Sequence, residues 1–372
     1  MKMPTEHIRE EILKVGVISF AQFMESALYC PETGYYESQK DNVGRGGDFI
    51  TSVSTGSLFG ELLAFQFAGW LETLPPHSEK LKIIEAGAHD GKLAADILNW
   101  LQFHRPKLFS EIEYWILEPS LKRQSWQKEK LKAFANVRWQ SGFSQPVTGI
   151  IFSNELLDAF PVRRFGWDAK AKRWFEWGVA LAAEKFVWSR LTPHVDLPSF
   201  IHHLPASLLE VLPDGYMIEA SPAAASWWRA AAGNLQHGKL LAIDYGFTDA
   251  EMFSPSRTRG TLRAYHHHRV SDDLLAHPGE QDLTAHVNFS AIQSAGEAAG
   301  LRTEDFCTQP QFLTRILSRV VKELPLASLD AKQIRQFQTL THPEHLGRAF
   351  RVLVQAKQAN YPTKGLAGGL GS

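Results

Sequence analysis

Short apolar runs alternate with amphipathic segments of helical length through the middle of this chain. The runs have the continuous Ile, Leu, Phe and Val content of buried strands and lie at residues 81–85, 114–118, 149–153 and 240–246. Segments with helical periodicity lie between them, for example 91–103 and 222–232. A strand that is apolar on both faces must be covered on both faces. The alternation therefore predicts an α/β fold with a mostly parallel sheet and helices on each side.

The regions around this predicted core differ in composition. Residues 1–78 are predicted to form a helical N-terminal segment with a glycine-rich loop, and the core to occupy residues 79–162 and 214–270. Arginine and aromatic residues alternate between Arg163 and Arg190, which favours antiparallel β strands, and an inserted β meander is predicted at 163–213. The order of the remaining segments is predicted to be a helical region, a last core strand and a flexible tail, at 271–345, 346–358 and 359–372.

Composition excludes several classes of protein. The chain has 372 residues, with 39 Lys plus Arg against 40 Asp plus Glu, and this balance argues against nucleic acid or anionic lipid as a partner. Its N-terminus is too polar and acidic for a secretory or transit peptide, and no apolar run has the length that membrane insertion requires. Cys30 and Cys307 lie far apart, which fits a reducing compartment. We therefore expect a cytoplasmic protein.

A glycine-containing loop follows the strand at 81–85 and precedes the helix at 91–103. Gly87 allows a ligand to approach the backbone, and Gly91 allows the helix, whose N-terminal amides can bind an anion, to pack closely. The carboxylates of Glu85 and Asp90 flank this loop. They suit the cationic sulfonium and ammonium groups of S-adenosyl-L-methionine better than a pyrophosphate. The alternative is an ordinary tight turn, which also uses glycine.

Glu118 ends the next predicted strand, 27 positions beyond Gly91. An acidic residue near this position in a Rossmann-type unit contacts the ribose hydroxyls, although it can also cap the following helix. The glycine-rich loop before the sheet carries Asp48 and Thr51, which we expect either to fold over the cofactor or to form a simple turn. A nicotinamide-dependent oxidoreductase is disfavoured, because the three-glycine fingerprint is absent.

Polar side chains also follow the strand at 149–153. The carboxyl ends of parallel strands face the ligand crevice. We therefore expect Asn154, Glu155 and Asp158 to lie beside the methyl group that a bound S-adenosyl-L-methionine would transfer. If an arginine side chain of a substrate accepts this methyl group, its guanidinium stays protonated near neutral pH and needs carboxylates to align it. The alternative is that Asn154 and Asp158 cap a helix. No metal is expected, because adjacent histidines at 266–268 would point to opposite faces of a strand.

Several motifs in order resemble one known family. They are Tyr29-Cys-Pro-Glu-Thr-Gly-Tyr-Tyr36, Gly47-Asp-Phe-Ile-Thr51, Asn154-Glu-Leu-Leu-Asp-Ala-Phe-Pro161, Ile243-Asp-Tyr-Gly246, Gly260-Thr-Leu-Arg-Ala-Tyr265 and Pro278-Gly-Glu-Gln-Asp-Leu-Thr-Ala-His-Val287. Over nearly the whole chain, the sequence is similar to the MidA family, which includes a mitochondrial assembly factor of respiratory complex I. The resemblance implies a Rossmann-like class I methyltransferase fold and S-adenosyl-L-methionine as cofactor. It also implies a protein substrate, such as an arginine of a respiratory complex subunit.

One position departs from the family pattern, in which the first loop is Glu-x-Gly-x-Gly-x-Gly. Here His89 replaces the middle glycine. Histidine tolerates positive φ, so we expect the turn to persist. Its ring would either crowd the methionine end of the cofactor or donate a hydrogen bond to the cofactor carboxylate. A non-catalytic assembly protein with a degenerate cofactor pocket therefore stays open as an alternative, as does a homodimer.

Overall fold

The computed structural model describes residues 3–38, 51–75, 80–191, 196–202, 204–266, 269–324, 329–343, 346–347 and 350–357. The predicted cofactor residue Asp48 and the predicted tail at 359–372 lie outside the described residues. The helices are α1 Pro4–Val15, α2 Phe20–Tyr29, α3 Tyr35–Ser38, α4 Leu58–Glu72, α5 Lys92–His104, α6 Pro106–Glu111, α7 Leu121–Lys130, α8 Ser199–His202, α9 Ala206–Val211, α10 Pro222–Asn234, α11 Asp249–Met252, α12 Phe289–Ala298, α13 Gln309–Glu323 and α14 Ala331–Thr341. The strands are β1 Val17–Ser19, β2 Leu81–Ala86, β3 Ile112–Leu117, β4 Val137–Gln140, β5 Val147–Asn154, β6 Arg163–Asp168, β7 Arg173–Ala182, β8 Lys185–Arg190, β9 Met217–Ala220, β10 Leu235–Phe247, β11 Arg263–His266, β12 Arg269–Ser271, β13 Asp282–Thr284, β14 Val287–Asn288, β15 Arg302–Thr308 and β16 Phe350–Lys357.

The central sheet has the strand order β15-β16-β10-β5-β2-β3-β4. Strands β4, β3, β2, β5 and β10 pair in parallel, whereas β16 pairs antiparallel with both β10 and β15. Every residue of β2 is buried, as the continuous apolar run predicted. The predicted α/β fold with a mostly parallel sheet is therefore confirmed.

Helices cover both faces of this sheet. On one face α4, α5 and α13 form a core that includes the fully buried rings of Phe59 and Phe67. On the other face α10 and α12 pack around Trp228, whose indole Nε1 donates to Gln355 Oε1 at 2.8 Å. Burial of large apolar side chains on both faces is the main stabilising contribution to such a layered fold.

A second, antiparallel sheet contains the inserted segment. Strands β6, β7 and β8 form the predicted meander, and the sheet continues through β1 beside β7 and β9 beside β6. Helices α1 and α2 share a core with this sheet and with the small sheet β12-β11-β13. The N-terminal segment is thus packed against the rest of the protein. The boundaries predicted for the separate segments stay a prediction.

Two regions differ from the sequence expectation. The predicted helical stretch near the N-terminus is interrupted at Gly16, whose φ of 83° ends α1, and β1 follows. The region 271–345, expected to be mainly helical, also contains β13, β14 and β15. Strand β15 is an edge strand in which Arg302 and Glu304 are exposed and the other side chains are half-buried, so it lacks the apolar run by which the buried strands were identified. Among the described helices, none has the length and apolarity to cross a membrane.

Candidate functional site

The strand order creates a crevice at the carboxyl ends of β2 and β5. Chain connections from β2 lead to β3 on one side, whereas β5 and β10 lie on the other side. Such a switch in direction leaves a gap between adjacent loops, which is where open α/β sheets bind ligands. A cavity of about 350 Å³ lies there. Its lining includes Thr51, Glu85, Gly87, His89, Asn154, Glu155 and Asp158, so most of the predicted site residues meet in one place.

The loop after β2 has a left-handed backbone at Gly87, His89 and Gly91, with φ values of 77°, 46° and 84°. The turn predicted despite His89 is therefore present. A Cβ atom at Gly87 would lie 2.9 Å from Cδ1 of Leu156, closer than real Cβ contacts allow. Glycine at position 87 thus accommodates both the left-handed backbone and the close approach of the Leu156 side chain.

Asp90 is ionised at the start of α5. Burial opposes its ionisation, but hydrogen bonds from His89, from Lys130 and from the amide of Lys92 lower the pKa of Asp90 below its ordinary value. The Lys92 amide donates to Asp90 Oδ1 at 2.9 Å. A carboxylate at a helix N-terminus is stabilised by the helix dipole. This contact fixes the loop that forms one wall of the cavity.

Glu85 is a buried carboxyl group at the end of β2. Tyr114 donates its hydroxyl hydrogen to Glu85 Oε2 at 2.7 Å. Burial raises the pKa of Glu85 to about 8, against the lowering effect of this hydrogen bond. A cation entering the cavity would favour the ionised form of Glu85.

Asn154 and Glu155 present unused acceptors at the end of β5. Glu155 Oε1 accepts hydrogen bonds from Ser52 N and Asn154 Nδ2, both at 3.1 Å. Asn154 Oδ1 and Glu155 Oε2 are buried and have no hydrogen-bond partner among the described residues. Burial raises the pKa of Glu155 to about 8. Buried acceptors without partners are unfavourable unless a ligand donates to them.

Further carboxyl groups surround Asp158. Asp244 is fully buried, and its Oδ2 accepts from the amides of Leu156 and Leu157 at 3.1 and 2.8 Å. Burial, together with the neighbouring Asp244 and Asp282, raises the pKa of Asp158 well above its ordinary value. Asp244 therefore holds the turn that places Glu155 and Asp158 on the cavity wall.

Two predicted cofactor residues do not line the cavity. Gly91 is the N-cap residue of α5, and Glu118 directly follows β3. Glu118 accepts hydrogen bonds from Ser120 N at 3.0 Å and from Gln127 Nε2 at 3.2 Å. Gln127 Nε2 also donates to the His89 carbonyl at 3.0 Å. The side chain of Gln127 thus links Glu118 to the loop after β2.

The cavity also contains residues that the sequence analysis did not select. They are tyrosines and basic side chains, namely Tyr29, Tyr36, Arg123, Tyr245, Arg263 and Tyr265. His286 lines the cavity too. Except for Arg123, all of them lie in the motifs that carry the family resemblance. Those motifs were therefore the sequence signal from which these cavity residues could have been predicted.

Within the described part of the chain, no group of three or more His, Cys, Asp or Glu side chains is arranged to hold a metal ion. His267 and His268 lie outside the described residues.

A protein family described as "Putative S-adenosyl-L-methionine-dependent methyltransferase" matches residues 62–307, well over half of the chain. The chain belongs to this family. It is an S-adenosyl-L-methionine-dependent methyltransferase, as the sequence predicted. A crystal structure of a Burkholderia thailandensis protein bound to S-adenosyl-homocysteine is 32% identical, with a TM-score of 0.82, and the alignment covers 95% of this chain and 92% of that protein. A second crystal structure of a Burkholderia thailandensis protein has a TM-score of 0.79 at 32% identity, covering 95% and 91% of the two chains.

Curated relatives include the human protein arginine methyltransferase NDUFAF7, mitochondrial, which is 27% identical over 92% of this chain and 81% of its own length. The Drosophila melanogaster homolog is 26% identical over 94% of this chain and 83% of its own length. Both are named as mitochondrial proteins. This finding contradicts the predicted cytoplasmic location, which rested on the absence of a recognisable targeting segment.

Proposed function

We propose that this methyltransferase transfers its methyl group to an arginine side chain of a protein substrate. The main support is the cluster of buried carboxyl groups at the end of β5, where Asn154 Oδ1 and Glu155 Oε2 have no partner among the described residues. The curated relatives are named protein arginine methyltransferases, which supports arginine as the acceptor. A subunit of a respiratory complex is the substrate protein that the family resemblance suggests, and a homodimer stays an expectation.

The cofactor would bind at the loop after β2. S-adenosyl-L-methionine supplies an electrophilic methyl group on a sulfonium centre. Glu85 provides a buried carboxyl that a cationic ligand would ionise, and the exposed backbone at Gly87 allows close approach. His89 and Thr51 line the same cavity. Gly91 and Glu118 would act indirectly, by shaping the loop through α5 and Gln127.

Glu155 and Asp158 would hold the acceptor. A guanidinium group has planar N–H donors, and the unpartnered Glu155 Oε2 and Asn154 Oδ1 can accept from them. Its positive charge would favour ionisation of both carboxyl groups. After methylation the nitrogen loses a proton, and a carboxylate with a raised pKa is suited to receive it. Most of the acceleration would come from positioning.

Methyl-labelled cofactor added to a cell lysate with the protein tests this assignment. We expect labelled arginine in digested proteins by mass spectrometry. Glu155→Gln and Asp158→Asn should reduce labelling by about 100-fold or more, while binding of S-adenosyl-homocysteine persists in calorimetry. Asp168→Asn, at the surface end of β6, serves as the control and should label normally. Label in lysine, RNA or small molecules, without labelled arginine, would overturn the proposed acceptor.

A further inference from the structure

Arg123 brings a positive charge to the cavity from α7, the helix that follows β3. Its Nη2 atom is buried and has no hydrogen-bond partner among the described residues. A guanidinium keeps its proton in proteins, so it cannot relieve an unmet donor by becoming neutral. A buried donor without a partner is unfavourable unless a ligand accepts from it. The Arg123 side chain is therefore suited to a ligand that presents an acceptor inside the cavity.

Contacts with α3 fix the direction of the Arg123 guanidinium. Its Nε donates to the Tyr36 carbonyl at 2.9 Å, and its Cζ lies 5.0 Å from the centre of the Tyr36 ring. The Tyr36 ring is in turn stacked on the ring of Tyr29, with 5.5 Å between the ring centres, and both tyrosines line the cavity. Because the guanidinium is already held, less side-chain freedom is lost when Nη2 donates to a ligand.

The position of α7 in the fold assigns Arg123 to one end of the cavity. In the strand order β5-β2-β3, Glu155 and Asp158 follow β5, whereas α7 follows β3. The end of the second strand is where a Rossmann-type unit binds the ribose of its ligand. Burial raises the pKa of Glu118, which directly follows β3, and the positive charge of Arg123 opposes this rise. Arg123 is therefore close to the strand end that faces the nucleoside, on the side away from the proposed methyl transfer.

The charges of the cofactor agree with this placement. The sulfonium and ammonium groups of S-adenosyl-L-methionine are cationic, so a guanidinium beside them would be repelled. The adenine ring nitrogens and the ribose oxygens are neutral acceptors that a guanidinium can donate to. The cofactor carboxylate is the competing acceptor. It belongs to the amino acid half of the cofactor, so fragments of the ligand distinguish the two.

We infer that Arg123 is a cofactor-binding residue, whose Nη2 donates to an acceptor in the adenosine half of S-adenosyl-L-methionine while α3 holds the guanidinium in place. The inference rests on the cofactor position given under the proposed function, and it does not depend on the identity of the methyl acceptor. Glu118, which sequence spacing selected for the ribose, does not line the cavity, so Arg123 supplies the polar contact on this side.

Calorimetry with a fragment of the cofactor tests this assignment. S-adenosyl-homocysteine contains both halves, whereas methylthioadenosine lacks the amino acid half. We expect Arg123→Ala to weaken the binding of both ligands by the same factor, roughly tenfold or more. Arg123→Met keeps an apolar contact with the Tyr36 ring but has no donor, so it should give the same loss even if Arg123→Ala fails to fold. Glu85→Gln should instead weaken S-adenosyl-homocysteine more than methylthioadenosine, because its carboxyl is proposed to face the cationic end.

Lys122→Ala is the matched control. Nζ of Lys122 donates to the Glu37 carbonyl, so Lys122 joins α7 to α3 as Arg123 does, but it does not line the cavity. This variant should bind both ligands as the unaltered protein does. The inference is overturned if the Arg123 variants bind both ligands normally, if they lose affinity for S-adenosyl-homocysteine alone, or if Lys122→Ala loses as much affinity as they do. It is also overturned if the unaltered protein binds S-adenosyl-homocysteine but not methylthioadenosine. Failure of the unaltered protein to bind S-adenosyl-homocysteine would instead contradict the proposed function.

Discussion

The substitution Gly87→Ala isolates the close approach between the loop after β2 and the segment after β5. At φ 77° an alanine adopts a left-handed backbone, which costs about 1–2 kcal/mol. Its Cβ would also lie 2.9 Å from Cδ1 and 3.3 Å from Cβ of Leu156, and such overpacking costs about 1–3 kcal/mol. We therefore expect a total loss of roughly 2–5 kcal/mol in the free energy of unfolding, together with weaker binding of S-adenosyl-homocysteine.

The structure offers a control with the same backbone strain. Gly215 has φ 75° and no heavy atom within 4 Å of a built Cβ, so Gly215→Ala should lose the strain contribution alone. Urea unfolding gives both stabilities, and calorimetry gives the affinity for S-adenosyl-homocysteine. In the double variant Gly87→Ala and Leu156→Ala, the 2.9 Å contact with Cδ1 is removed, although the 3.3 Å contact with Cβ and the backbone strain remain. The reasoning is refuted if Gly87→Ala and Gly215→Ala lose equal stability and both bind the ligand as the unaltered protein does.

Two further predictions concern the buried carboxyl groups. Because burial raises the pKa of Glu85 to about 8 from 4.5, the folded protein retains a proton that the unfolded chain releases; stability should fall between about pH 5 and 8, and Glu85→Gln should flatten this slope by up to about 1.4 kcal/mol per pH unit in urea titrations. A slope unchanged by Glu85→Gln would contradict the assigned pKa. Asp244→Asn replaces one carboxylate oxygen by an NH2 group, so either the Tyr245 amide, which donates to Oδ1, or the Leu156 and Leu157 amides, which donate to Oδ2, lose their acceptor. We therefore expect a loss of about 1–3 kcal/mol in the free energy of unfolding, and weaker ligand binding. Thermal melting beside the control Asp305→Asn, at a half-buried carboxylate of edge strand β15 that pairs with Arg315, checks the stability. Equal melting of the two variants would count against the role given to Asp244.

The sequence predicted the central sheet because its strands are apolar on both faces. It predicted the crevice for a related reason: Glu85 and Asn154 end neighbouring parallel strands, and parallel strands bring such residues to one edge. Strand β15 was missed because an edge strand needs no continuous apolar run. The N-terminal break was signalled by Gly16, but helical periodicity on both sides obscured it.

The tyrosines of the cavity could not be derived from local pattern. Tyr29 and Tyr36 belong to the N-terminal segment, and they reach the cavity through packing between segments distant in sequence. Tyr36 donates its hydroxyl to Asp282 Oδ1 at 2.8 Å, across 246 positions of the chain. Glu118 is the opposite case, a residue that sequence spacing selected but that does not line the cavity. Its spacing from Gly91 fits a ribose contact, yet its carboxylate is hydrogen-bonded to Ser120 and Gln127 outside the cavity lining.

A crystal structure of this protein grown with S-adenosyl-homocysteine tests the account most directly. We expect density for the ligand in the cavity at the carboxyl ends of β2 and β5, with its amino group near Glu85 and its sulfur facing Glu155 and Asp158. Ligand density elsewhere on the sheet, or a sulfur directed away from these two carboxyl groups, would contradict the proposed site.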